Sequence, residues 1–252
     1  MNRIEQAFRG DRQTIMPFIV AGFPSIEATE GALIAMDKAG AAIIEVGIPF
    51  SDPIADGPVI AAAMHDAVNN GVTPSHAIDV VLKVRDNVSA GLVAMVSESI
   101  VHKSGGNAYL DRLAAAGFDG VIIPDIDDQE AQRTSAHCRE CGLTFSMLVS
   151  PTTQLDRIAW LASRSTGFLY ILARVGLTGE QNTAPDIAGR IEEIRKVTKL
   201  PLAVGFGIST REHVATVNAS ADAAIVGSAL VRRMSEATDP VQAASDFVAE
   251  LL

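Results

Sequence analysis

A closed (β/α)8 barrel, the TIM-barrel class of α/β folds, is what the sequence predicts. Three observations carry that expectation: eight short apolar runs, a helical stretch between successive runs, and no compositional break that would divide the 252 residues. Strands that alternate with helices pair in parallel through right-handed crossovers, and near-continuous apolar strands suit a sheet covered on both sides. Eight such units in about 250 residues fit a barrel better than a doubly wound sheet, which usually has fewer strands or a second domain. The expectation is therefore one domain over residues 1–252, with an extra N-terminal helix at Asn2 to Phe8.

The strand candidates are Phe18 to Ala21, Ile43 to Ile48, Leu92 to Val96, Gly120 to Ile123, Thr144 to Val149, Phe168 to Ala173, Leu202 to Val204 and Ala223 to Val226. Punctuation marks the helices. Ser25 is placed to cap a helix that carries Glu27 and Glu30 early and stops at Gly40. Thr73-Pro74 opens another, Gly117 and Gly142 close two more, and Ile187, Ile191, Ile194 and Val197 form a stripe of helical spacing.

Composition narrows the partners. With 48% hydrophobic and 20% charged residues the chain reads as a compact soluble protein, and 20 Lys+Arg against 30 Asp+Glu give a formal charge of −10. That balance argues against nucleic acid or an anionic membrane as the main partner. No apolar run approaches the roughly 18 to 20 residues that span a bilayer, and Met1-Asn2-Arg3-Ile4-Glu5 lacks the apolar core of a secretory signal, so a cytoplasmic location is expected. The two cysteines, Cys138 and Cys141, read as reduced thiols on a surface helix; a metal role would need further ligands, and in sequence only His137 lies nearby.

In a barrel of this class chemistry lies at the carboxyl ends of the strands and in the loops that follow. Alternation along the second strand puts Ile43, Glu45 and Gly47 on one face and Ile44 and Val46 on the other, so Glu45 should point into the barrel near its mouth. A lone acid in an apolar strand is costly and usually titrates abnormally, which makes it a catalytic candidate; an acid salt-bridged inside the barrel is the competing reading. Asp56, in the following loop, is the second candidate, although Asp56-Gly57-Pro58 equally resembles a helix start with an acidic cap. Asp52 precedes a proline and reads as a turn residue or part of a partner surface.

Gly205-Phe206-Gly207-Ile208-Ser209 and Gly227-Ser228 each stand between a strand and a helix, where bare amides and a helix N-terminus can hold a phosphate without a cationic side chain. The loops after strands seven and eight are where this fold often seats phosphate. The long loop from Arg174 to Pro185 could close as a lid, with Gly179 adding another amide. Phe18, Tyr170 and Phe206 lie near converging strand ends and suggest a flat apolar substrate, notable in a chain with only 5% aromatics.

The segment Glu45-Val46-Gly47-Ile48-Pro49-Phe50-Ser51-Asp52-Pro53-Ile54-Ala55-Asp56-Gly57-Pro58 closely resembles the signature of tryptophan synthase alpha chains. Supporting matches are Pro17-Phe18, Ala21-Gly22, Gly120 to Asp125, Gly176-Leu177-Thr178-Gly179 and the two glycine loops, which together span most of the chain. The resemblance implies a lyase that splits indole-3-glycerol phosphate into indole and glyceraldehyde 3-phosphate by a retro-aldol reaction. It implies that Glu45 moves protons, that Asp56 accepts from the indole N–H, and that Tyr170 sits beside the reacting glycerol chain. Thr178 would order the lid, and Gly179, Gly207, Gly227 and Ser228 would hold phosphate. No metal or cofactor is implied on this chain; pyridoxal phosphate is expected only on a partner beta chain, in an α2β2 heterotetramer.

Two segments depart from the family pattern. A Tyr-Asn-Pro-like run after strand three is replaced by Met95-Val96-Ser97-Glu98-Ser99-Ile100-Val101, and Asp-Leu-Pro after strand four becomes Asp125-Ile126-Asp127. Ala173 also stands where the family tends to have serine. These departures bear on docking of the partner more than on chemistry. Two other readings remain open: a different phosphate-binding barrel isomerase or epimerase, and a subunit that chiefly activates its partner.

Overall fold

Nine parallel strand segments fill eight barrel positions in the computed structural model, which describes residues 2–9, 14–53, 56–173, 187–205 and 207–252. They are β1 (Thr14–Val20), β2 (Ile43–Gly47), β3 (Gly91–Met95), β4 (Gly120–Ile122), β5 in two pieces (Thr144–Ser146 and Leu148–Val149), β6 (Leu169–Leu172), β7 (Leu202–Gly205) and β8 (Ala223–Val226). Each expected strand is present, the last with the expected bounds, the fifth divided within its expected bounds and the others with shifted ends. β5 is divided at Met147 because its first half pairs with β4 and its second with β6. The Met147 carbonyl accepts from Tyr170 N at 3.1 Å, so the ring closes through the break.

The helices are α1 (Arg3–Ala7), α2 (Ile26–Ala39), α3 (Pro58–Asn69), α4 (Pro74–Val84), α5 (Glu98–Lys103), α6 (Asn107–Ala116), α7 (Asp128–Cys141), α8 (Leu155–Arg164), α9 (Ala188–Arg195), α10 (Arg211–Asn218), α11 (Ser228–Glu236) and α12 (Pro240–Leu251). The expected stops hold: Gly40, Gly117 and Gly142 all take left-handed φ at C-caps. Ser25 and Thr73 cap their helices through Ala28 N and His76 N. No helix among the described residues is long and apolar enough to cross a membrane.

Alternation sorts the strands as expected. Ile44, Val46, Leu92 and Ala94 join the strand–helix layer, whereas Met16, Ile43, Val93, Ile122 and Ile225 fill the barrel interior. The extra N-terminal helix serves as a floor. Ile4 is fully buried in the interior cluster, and a Cβ on Gly91 or Gly120 would stand 2.9 or 2.7 Å from its side chain, so these two strands must be bare where the plug enters.

The floor also carries an ionic bracket. Asp119, at the entry to β4, takes Arg3 Nη1 on Oδ1 at 3.2 Å and Arg85 Nη1 and Leu92 N on Oδ2 at 3.2 and 3.0 Å. Asn2 Nδ2 donates to its carbonyl at 2.6 Å. The same arrangement recurs four strands on, where Asp222 at the entry to β8 accepts from Arg195 and, at 2.6 Å, from Leu202 N. Each arginine then reaches loop carbonyls: Arg85 those of Val88 and Ala90, Arg195 that of Leu200.

Candidate active site

Glu45 lies in the middle of β2, in register with Phe18 on β1 and Val93 on β3. Its inward neighbours are apolar, and it is completely buried. Neither carboxyl oxygen has a hydrogen-bond partner among the described residues, and none of these residues forms the internal salt bridge that is the competing reading. Burial raises its pKa from the ordinary 4.5 to about 8, because the charged form loses its hydration and nothing replaces it.

Asp56 sits just before α3. The cap reading fails here: Gly57 occupies the N-cap, no side chain bonds the helix amides, and Pro58 takes the first turn. Burial raises the Asp56 pKa from 3.8 to about 6. The residue lines a cavity of about 270 Å³ with Ile48, Phe50, Met64, Met95 and Pro124. Asp52 also lines that cavity and accepts from Ser51 Oγ at 2.7 Å.

Tyr170, on β6, ties the two acids together electrostatically. Its phenol is raised well above its ordinary value, first by burial and then by the charges of Glu45 and Asp56. Gly205 on the neighbouring strand β7 leaves it room: a Cβ there would stand 2.5 Å from the Tyr170 hydroxyl. Phe18 is buried beside Ile60 and Met64 on α3 and beneath Gly47, whose added Cβ would meet the Phe18 ring at 2.6 Å. Neither Phe18 nor Tyr170 is among the residues that line the cavity, whose apolar side includes Phe50, Met64 and Met95. Neither residue type nor spacing distinguishes a cavity-lining methionine from a core one, so Met64 and Met95 give no signal in the sequence.

Of the expected phosphate loops, Gly207 takes a left-handed φ of 79°, and Gly227 is the N-cap of α11 with buried Ser228 as its first residue. The α11 amides therefore open from the mouth end of β8, where an anion would gain from the helix terminus. Thr178, Gly179 and Phe206 lie outside the described residues, as does the expected lid.

The two departing segments meet each other. Asp125 accepts from Ser97 Oγ at 2.7 Å and from Glu98 N at 2.8 Å, joining the loops after β3 and β4. Asp127, in place of a proline, caps α7 through Gln129 N and Glu130 N at 2.7 and 2.9 Å. Glu98 beside them has its pKa raised, first by partial burial and then by Asp127 and Asp125. This side of the rim, where Ser97, Ser99 and Asp125 line the cavity, is polar and acidic.

A family model described as tryptophan synthase alpha chain matches residues 4–251. The chain belongs to the tryptophan synthase alpha chain family. The curated alpha chain of Rhodopirellula baltica is 39% identical over 96% of this chain and 91% of its own, and that of Synechocystis is 37% identical over 100% and 98%. Among solved structures, the tryptophan synthase of Mycobacterium tuberculosis superposes with a TM-score of 0.90 at 32% identity, covering 99% of this chain and 96% of that one. The alpha-subunit of Pyrococcus furiosus gives 0.88 at 31%, covering 95% and 97%. Members of the family are lyases acting on indole-3-glycerol phosphate, need no cofactor of their own and partner a beta chain that carries pyridoxal phosphate.

Proposed function

We propose that Glu45 and Asp56 carry the cleavage of indole-3-glycerol phosphate in this chain, at the mouth of a single barrel domain formed by residues 1–252. The observation that carries this reading is the orphaned Glu45 carboxyl, buried without a partner among the described residues and protonated at neutral pH. A group that waits protonated can act first as an acid. Glu45 gives its proton to indole C3, generating the cationic indolenine, and Asp56, ionised above pH 6, accepts from the ring N–H and favours that cation. The Glu45 carboxylate then takes the proton of the hydroxyl on the carbon attached to C3. The carbon–carbon electron pair returns to the ring, indole and glyceraldehyde 3-phosphate separate, and Glu45 ends protonated as it began.

Phe18, Tyr170 and Phe206 border the indole and glycerol chain in this reading, with Thr178 ordering the lid. Gly179, Gly207, Gly227 and Ser228 hold the phosphate. The acidic rim at Glu98, Asp125 and Asp127 faces the beta chain within an α2β2 assembly in the cytoplasm.

The test is release of indole by the purified chain, with and without added beta chain. Glu45→Gln lowers the rate by at least about 10³-fold in both arms, within the range of a lost proton-transfer group; indole release at the parental rate overturns the assignment. The pH profile of kcat/KM reports the free enzyme. It rises through about pH 6 as Asp56 ionises and falls above about pH 8 as Glu45 loses its proton, whereas a rate that keeps climbing past pH 9 contradicts an acid role for Glu45.

A further inference from the structure

The Cys-x-x-Cys segment plays no part in the lyase site, and the fold gives it company that the sequence does not show. Cys138 is fully buried, not at the surface, and so is closed to ligands. Cys141 is half-exposed at the last turn of α7, and His137, one turn earlier, shares its face. Asp111 reaches the same spot from α6, 26 positions away in sequence, with Oδ1 2.8 Å from His137 Nε2. One ligand atom from each of Asp111, His137 and Cys141 lies within 4.8 Å of the other two.

We propose that Asp111, His137 and Cys141 form a binding site for a thiophilic divalent cation, with Zn2+ the best fit. A carboxylate, an imidazole and a thiolate are the ligand types that zinc prefers, and bond lengths of about 2.0 to 2.3 Å put tetrahedral ligands about 3.3 to 3.8 Å apart. Partly exposed side chains need move only about an ångström to close from the present spacing to that one. The histidine is also oriented for the task. With Nε2 turned to the site, Nδ1 faces Glu140, whose Oε2 stands 3.8 Å away, and a carboxylate behind the distal nitrogen is the usual support of a metal-bound imidazole. Binding exchanges the Cys141 thiol proton, released to solvent, for the metal–sulfur bond, and water completes the fourth position.

The site pins the carboxyl-terminal end of α7 to α6, at the barrel's floor rather than its mouth. Changes at that end of a barrel act on stability and not on chemistry, so the metal raises the melting temperature and leaves indole release alone.

Zn2+ titrated into the full-length reduced protein against a chromophoric chelator binds with one equivalent per chain. Co2+ in its place gives thiolate charge-transfer absorption together with intense tetrahedral ligand-field bands. Cys141→Ser removes the thiolate band, His137→Ala and Asp111→Asn each weaken Zn2+ by at least about tenfold, as loss of a ligand requires, and Cys138→Ala keeps both band and affinity. In the parent chain, Zn2+ raises the melting temperature and EDTA reverses the rise. Absence of the thiolate band in the parent, or equal Zn2+ affinity in the parent and in a chain carrying all three ligand substitutions, overturns the proposal and leaves a hydrogen-bonded His–Asp pair between two helices.

Discussion

The barrel holds buried carboxylates at both ends, and they live under opposite conditions. At the mouth, Glu45 has no partner for either oxygen among the described residues; at the floor, Asp119 has two guanidinium groups and a backbone amide. Desolvation costs an ion several kcal/mol unless charge and hydrogen bonds replace the lost water. Asp119 receives that replacement and serves as a structural joint. Glu45 does not, so it keeps its proton and remains available for transfer. The same residue chemistry thus becomes architecture or catalysis according to what the neighbouring strands offer it.

The sharpest way to break the comparison is to remove the satisfied acid. Asp119→Ala leaves Arg85 buried without its counter-charge and lowers unfolding free energy by about 3–5 kcal/mol. Urea unfolding measures it, and the fraction that remains folded turns over substrate normally. A loss under 1 kcal/mol would mean that the floor bracket is incidental.

Removing the unsatisfied acid has the reverse sign. Glu45 in the fold binds its proton up to about pH 8, against 4.5 in the unfolded chain, so the folded state holds more protons across that window. Stability attributable to this group therefore falls as pH rises from about 4.5 to 8. Glu45→Gln relieves a penalty of up to about 4 kcal/mol at pH 8, reduced by the cost of burying an unbonded amide. Its melting temperature exceeds the parent's at pH 8, and the difference shrinks towards pH 5. A parent that is the more stable form at pH 8 contradicts the orphaned state of the carboxyl.

Asp56→Asn tests the acid with an intermediate environment. It should slow kcat by about 100-fold while changing the melting temperature little, because no helix amide loses a cap. The smallest effect belongs to the rim. Asp127→Ala removes the α7 cap and costs about 1 kcal/mol in thermal unfolding, with indole release by the isolated chain unchanged.

What the sequence made legible follows from the same contrast. Near-continuous apolar strands and glycine stops are local signals, so the eight barrel positions, the inward face of Glu45 and the ends of α2, α6 and α7 could be read directly. The division of β5 at Met147 could not, since it comes from a change of pairing partner and not from Met147 itself. Asp56 was ambiguous because spacing does not say whether a carboxyl faces the helix amides or turns away from them. Asp119 and Asp222 escaped notice as acids before short strands, a position that looks like a turn until Arg85 and Arg195 arrive from 34 and 27 residues upstream. Asp111 joined His137 and Cys141 only through helix packing.

The floor bracket has a consequence beyond stability. An acid at a strand entry, an amide from the preceding strand and an arginine that also ties the connecting loop occur at β3/β4 and again at β7/β8, half a turn around the ring. The closed cylinder therefore has a hidden twofold rhythm, with β1–β4 and β5–β8 as like halves each locked by its own clasp. A chain cut between α7 and β5 would give two fragments with one clasp apiece, and mixing them offers a route to rebuilding the ring from separate pieces.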